Sequence, residues 1–247
     1  MTVGSPVNDP PGQGWLQLTE AANSQIGSAI YDKAFSSAEG LQITFDYAAY
    51  NGTGADEIAF QLHDAAPGGL RYVSIHLDEY GGTSSASLCW VPCSFKPNSV
   101  TARGAQSVGG PLIASVALNT ITPGWQVKTL ANRASVQTVR ITVSPASASA
   151  RPTVKVEIDP TGTNTEANFV EVIGALDLSS NGAVPDTFKL SFYGRTGASN
   201  NIHEIRIRNA KTLKALSIPT LGQSTLGALA ALLALLTLPA LRSRFKN

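Results

Sequence analysis

Leu41, Ile43, Phe45 and Tyr47 alternate with residues of other character, the period of two that turns one face of a β-strand toward a core. A glycine-rich turn follows (Asn51-Gly52-Thr53-Gly54), then Ala55-Asp56, then the short apolar run Ile58-Ala59-Phe60-Gln61-Leu62, which predicts a strand buried on both faces. A second turn, Pro67-Gly68-Gly69, leads into Val73, Ile75 and Leu77, and this third strand ends at Asp78-Glu79-Tyr80-Gly81-Gly82. The same alternation marks Val139/Ile141/Val143, Val154/Val156/Ile158 and Phe188/Leu190/Phe192, with a first strand at Trp15-Leu16-Gln17-Leu18-Thr19 and a strand and turn over Asn98 to Gly104. A last strand, Glu204 to Arg208, is expected to place Ile205 and Ile207 inward and Arg206 and Arg208 outward. Loops of Pro, Ser, Thr, Gly and Asn separate these runs, and no amphipathic helix of useful length precedes residue 213. The pattern predicts an all-β antiparallel sandwich, with Asp56 and Asp78 each where a strand meets a loop.

The end of the chain changes register entirely. From Ala215 to Leu241 there is no charged residue, and Thr225 to Leu241 is almost wholly apolar. At about 1.5 Å per residue that core spans roughly 26 Å, and its flanks bring it to bilayer thickness. Arg242, Arg244 and Lys246 follow at once, the basic cluster that holds a C-terminal helix with its end in the cytoplasm. The expected organisation is an N-terminal extension over 1–13, a β-sandwich over 14–213, and a C-terminal segment over 214–247. That segment comprises an Ile218-Pro219-Thr220-Leu221 motif, one transmembrane helix over about 222–241 and a basic tail over 242–247.

Composition narrows the class. Charged residues make up 14% of the 247 and glycine numbers 22, the signature of a turn-rich, sparsely charged surface. The net charge of +1 hides an asymmetry: four basic residues and no acid follow Leu213, which leaves the body at about −3. A mildly acidic body without a basic stripe argues against nucleic-acid binding. Cys89 and Cys93 would stand about 13 Å apart in an extended strand, too far to bond. A turn at Pro92 closes that gap to a local disulfide if the domain is exported; otherwise the pair is free. Two thiols without two further nearby ligands do not make a zinc site.

The run FDY…Y.GTGAD.IAF.LHD…LDEYG, with Gly27-Ser28-Ala29-Ile30-Tyr31 before it and Tyr193-Gly194-Arg195-Thr196-Gly197 leading to His203-Glu204-Ile205 after it, resembles the legume-type (L-type) lectin domain in its bacterial form. The likeness covers roughly residues 14–210 and implies a concanavalin-like jelly roll, one large flat sheet and one curved sheet, with first and last strands adjacent. It implies a sugar site in which Asp56, in the Ala-Asp position that often follows a cis peptide, accepts hydrogen bonds from two hydroxyls; a carboxylate suits that task because charge-assisted bonds are the stronger ones. Gly68 or Gly69 is expected to add a backbone N–H, Tyr80 to stack on a sugar ring or cap the core, and Thr196-Gly197 to form a further contact loop. Asp78 matches the family's metal-bridging Asp and is the candidate ligand for Ca2+. The pattern departs here, however, with His76 in place of an upstream Glu and Gly82 in place of an Asn, and calcium needs six to eight oxygens. His63 and His203 lie in motif strands, where satisfied structural roles are expected.

The Ile-Pro-Thr-Leu motif, hydrophobic span and terminal basic cluster together resemble the IPTL-type C-terminal sorting signals of Gram-negative bacteria, which an exosortase-type membrane enzyme recognises. The alternative is an ordinary tail anchor. The N-terminus carries no charged-then-apolar leader, so an exported chain implies a true start upstream or a missing signal peptide. Partners implied are a glycan, the inner membrane and the sorting enzyme, and the location is the cell envelope or surface. A non-enzymatic carbohydrate-binding domain is the first expectation, a surface or biofilm-matrix scaffold the second. A glycoside hydrolase is the third, and weakest. The sandwich-type Glu-x-Asp-x-x-Glu pattern fails at His76-Leu77-Asp78, and Glu157-Ile158-Asp159 runs into Pro160 without a second Glu.

Overall fold

The structure, a computed structural model, describes residues 14–84, 95–121, 133 and 136–214. Cys89, Cys93, Ile218-Pro219-Thr220-Leu221, the apolar span over 222–241 and both chain termini lie outside them. Among the described residues no helix is long and apolar enough to cross a membrane.

The described strands, in chain order, are β1 (Leu16–Thr19), β2 (Ile26–Ile30), β3 (Phe35–Ser36), β4 (Leu41–Tyr50), β5 (Glu57–Asp64), β6 (Arg71–Asp78), β7 (Ser99–Arg103), β8 (Leu112–Ala117), β9 (Gln137–Val143), β10 (Thr153–Asp159), β11 (Val170–Asp177), β12 (Thr187–Arg195) and β13 (Ile202–Thr212). They form two antiparallel sheets. A six-stranded sheet runs β1-β13-β4-β9-β10-β11, and a seven-stranded sheet runs β2-β12-β5-β6-β7-β8 with β3 beside β12. First and last strands pair directly, Leu16 opposite Ile205. The alternating pattern called for an antiparallel β-sandwich, and the arrangement is the jelly roll that the lectin resemblance implied.

The alternation explains the core. Ile43, Phe45 and Tyr47 of β4 and Val139, Ile141 and Val143 of β9 face Ile58, Phe60 and Leu62 of β5 and Phe188, Leu190 and Phe192 of β12, and all are buried. Phe45 and Phe192 meet edge to face across the sheets at 4.9 Å, and Phe60 sits 5.9 Å from Phe192. Tyr47 brings a hydroxyl into this layer and satisfies it by donating to Gln137 Oε1 at 3.1 Å. Burial raises its pKa well above the usual tyrosine value.

The last strand departs from the simple pattern. Ile205 is buried as expected, but Ile207 is 46% exposed. A bulge follows it, since Ile207 pairs with Phe45 and Asn209 with the adjacent Thr44, which leaves Arg208 as the extra residue. Arg206 and Arg208 both reach outward to the buried carboxylate of Asp46, at 2.7 and 2.6 Å.

Candidate functional site

Strand direction assembles the site. β4 runs from Leu41 to Tyr50 and hands the chain to the loop that ends in Asp56; β5 then starts at Glu57. The β5–β6 hairpin is antiparallel and pairs Glu57 with Asp78, so the acid that precedes β5 and the acid that ends β6 arrive at the same end of the seven-stranded sheet. β12 terminates there too, Arg195 opposite Glu57, and delivers Thr196-Gly197. Three loops distant in sequence converge on one rim.

Asp56 sits at their centre after a cis Ala55–Asp56 peptide. Its N–H donates to the Arg195 carbonyl at 2.9 Å, and its own carbonyl accepts from the N–H groups of Glu79 (3.0 Å) and Tyr80 (3.3 Å). A Cβ at Gly197 would lie 3.1 and 3.2 Å from the two Asp56 carboxylate oxygens, so glycine lets that loop lie against the acid. Burial pushes the Asp56 carboxyl above the ordinary carboxylate value, with Arg195 pulling the other way. Thr196 is buried, its hydroxyl donating to the Ala22 carbonyl (2.7 Å) and accepting from the Gln25 N–H (2.8 Å). It therefore shapes the loop rather than offering a group to a ligand. Tyr80 is half exposed and meets Phe95 edge to face at 5.3 Å, which puts an aromatic pair on the same loop as Asp78.

Asp78 is engaged by its own loop. Oδ1 accepts the Gly81 N–H at 2.6 Å, and Oδ2 accepts both the Thr83 N–H at 2.7 Å and the Thr83 hydroxyl. Next to it, Glu79 accepts from the Asn201 amide and bonds His203 Nε2 at 3.1 Å, while His203 Nδ1 reaches Thr19 Oγ1 at 2.7 Å. Burial raises the Asp78 carboxyl despite these donors, with the neighbouring Glu57 charge adding to the shift. Among the described residues no group of three His, Cys, Asp or Glu side chains is placed to hold a metal. The two Asp78 oxygens are taken by donors of their own loop, whereas calcium takes six to eight oxygens.

A second buried row crosses β5 and β6. Glu57 Oε2 meets His76 Nδ1 at 2.6 Å, and His76 Nε2 meets Ser74 Oγ at 2.8 Å. Burial pushes Glu57 up, but His76 and Arg195 outweigh it and hold the carboxyl below its ordinary value. The connectivity is that of nucleophile, base and orienting acid. Ser74 is fully buried, however, so no substrate reaches its hydroxyl, and the row reads as a satisfied polar seam. The other acidic pair weighed from sequence belongs to the opposite sheet, where Arg140 and Lys155 hold Glu157, and Thr161, Thr163 and Asn164 hold Asp159.

Gly68 and Gly69 are the correction. They form the turn at the far end of the β5–β6 hairpin, where Gly69 N–H donates to Ala66 O at 2.9 Å and Asp64 N–H to Leu70 O at 3.0 Å. β5 has eight residues, so that turn stands about 26 Å from Asp56. They are turn glycines, outside the convergence. Three residues that do belong to it stood in motif segments without an assigned part in a site: Arg195, whose partners come from β5 and its preceding loop, and the pair Glu79 and His203, joined across 124 positions, with His203 in the satisfied role expected of it.

No protein-family model matches the chain, and no curated protein matches it. Solved structures do. The VIP36 exoplasmic/lumenal domain in its Ca2+-bound form superposes with a TM-score of 0.51 at 17% identity, over 83% of this chain and 80% of that one. The same domain with Ca2+ and Man3GlcNAc gives 0.50 at 14%, over 83% and 81%. Lectin II from Ulex europaeus gives 0.51 at 16%, over 78% and 85%. The fold is that of the L-type lectins. At such identities the likeness speaks for the architecture, and the loops must be argued from their own residues.

Proposed function

We propose that the protein is a non-enzymatic carbohydrate-binding domain whose contact surface is the rim around Asp56. The observation that carries this reading is the convergence of Asp56, Gly197 and Tyr80 from three loops: a partly exposed carboxylate, a close-lying glycine loop and an exposed aromatic ring. A carboxylate accepts hydroxyl protons, and an aromatic face covers the apolar side of a sugar ring. The fold supports it, since a Ulex europaeus lectin of the same architecture has been solved with galactose and VIP36 with Man3GlcNAc. We further propose that the segment after Lys214 directs the domain to the bacterial cell surface through the inner membrane, with Ile218-Pro219-Thr220-Leu221 as the motif read by an exosortase-type enzyme.

The test is a glycan array probed with the full chain, in calcium and then in a chelator, beside Asp56→Ala. Binding lost in Asp56→Ala supports the site; binding that survives the chelator agrees with an Asp78 loop closed by its own donors. Absence of binding in both conditions overturns the reading in favour of a surface scaffold, which the engagement of Asp78 by its loop would then explain. Fractionating cells that carry the chain with and without residues 215–247 tests the anchor: membrane association must disappear with the tail.

A further inference from the structure

We infer that Arg195 is the second half of the binding site, presenting N–H donors beside the Asp56 acceptor so that the pair reads two neighbouring hydroxyls of a neutral sugar and disfavours acidic ones. This rests on the carbohydrate-binding reading and deepens it. Arg195 Nε lies 3.1 Å from Asp56 Oδ2, an ion-pair distance, yet it is not aligned as a hydrogen bond, and Nε–H is buried without an acceptor. Nη2 stands 3.6 Å from Glu57 Oε1, beyond hydrogen-bond reach. The Arg195 side chain is 39% exposed and that of Asp56 16%, so each is partly open to solvent within ion-pair distance of the other.

A guanidinium has five donors in a planar fork, and two neighbouring carboxylates with the Tyr193 hydroxyl do not exhaust them. Hydroxyls on adjacent ring carbons lie within hydrogen-bond distance of each other, as Asp56 and Arg195 do. One hydroxyl then donates to the carboxylate while its neighbour accepts from the guanidinium. The spacing is built into the backbone, because Arg195 pairs with Glu57 across the strands and its carbonyl takes the Asp56 N–H.

Charge decides the ligand class. Glu57 is bonded by His76, Glu79 by Asn201 and His203, and Asp78 by Thr83 and Gly81. The Asp56–Arg195 pair that opens to solvent is balanced. A uronate, sialate or sulfate drawn to Arg195 would rest against Asp56 with Glu57 behind it, three like charges together, whereas a neutral polyol meets no such repulsion.

The experiment prints neutral hexose-terminated glycans beside uronate-, sialate- and sulfate-bearing ones. It compares the full-length wild type with Arg195→Gln, Arg195→Lys and Asp56→Asn in a detergent free of sugar, with each melting temperature recorded. The wild type should select the neutral set, and Asp56→Asn should lose it. Arg195→Gln should bind at least tenfold more weakly, with a modest fall in melting temperature from the lost charge beside Glu57 and the fold retained. Arg195→Lys, which keeps the charge but not the fork, should fall between. Equal affinity in Arg195→Gln and wild type, or a wild type that prefers the acidic set, overturns the role of Arg195 and leaves the site itself standing. A wild type that binds neither class overturns the carbohydrate reading, and this inference with it.

Discussion

The β5–β6 hairpin has two ends built from similar residues to different effect. At the far end Asp64 accepts one bond, from the exposed Ala66 N–H at 2.9 Å, and the chain turns within Ala65 to Leu70. At the rim Asp78 accepts three donors from its own loop while buried, and Asp56 lies between Gly197 and Arg195. One end only reverses the chain. The other holds partly buried carboxylates in place, and burial is what makes an acid's hydrogen bonds costly to remove. A glycine-and-aspartate turn is therefore not a binding loop by composition; what separates the two is how many distant segments meet there.

Phe45→Ala removes the support both ends share and should cost about 3–5 kcal/mol, read as a fall in the urea midpoint. Asp78→Ala leaves buried N–H groups of Gly81 and Thr83 without their acceptor. It should cost about 2–3 kcal/mol, against about 0.5–1 for Asp64→Ala at the other end. Equal losses in the same unfolding experiment would erase the contrast. Gly69→Ala and Gly197→Ala sharpen it further. The first drives a Cβ to 2.1 Å from the Asp64 carbonyl and should destabilise by about 1–3 kcal/mol with glycan affinity unchanged. The second presses on the movable carboxylate of Asp56 and should lower affinity about tenfold for under about 1 kcal/mol of stability.

The smallest effect is in pH, and its sign is informative. Asp56 and Asp78 have carboxyls raised by burial, so their contribution to stability is complete below the ordinary value and is lost as pH rises through the raised one. Glu57, held low, contributes above its ordinary value and loses that as pH falls through the lowered one. Recognition needs Asp56 ionised, so affinity should weaken in mild acid where the Asp56 and Asp78 contribution to stability grows. Asp56→Asn should flatten its share of the stability profile, measured as urea midpoints across the acid range.

The sandwich was legible wherever apolar residues alternate with polar ones along a strand, as along β4, β9, β10 and β12. It was not legible at β8, an edge strand whose six residues are all half-buried and so carry no alternation. β11 hid for a related reason, since two register shifts against β10 break its period. Ile207 pairs in register with Phe45 yet is exposed, which the period of two along the strand does not distinguish from the burial of Ile205. At the site, Asp56, Tyr80 and Gly197 followed from local motifs. Gly68 and Gly69 did not, because which end of a hairpin a turn occupies depends on strand length and direction. Arg195 and the Glu79–His203 bond needed strand pairing before they had any neighbours at all.

β13 begins at the rim, where Asn201 bonds Glu79, and runs eleven residues to Thr212, opposite Leu41. Leu213 and Lys214 then hook their N–H groups onto the Glu39 carbonyl. The chain thus leaves the sandwich about 36 Å from where Asp56 opens to solvent. The rim and this exit therefore stand at opposite ends of β13, and a change at one end is a full strand's length from the carboxylates at the other.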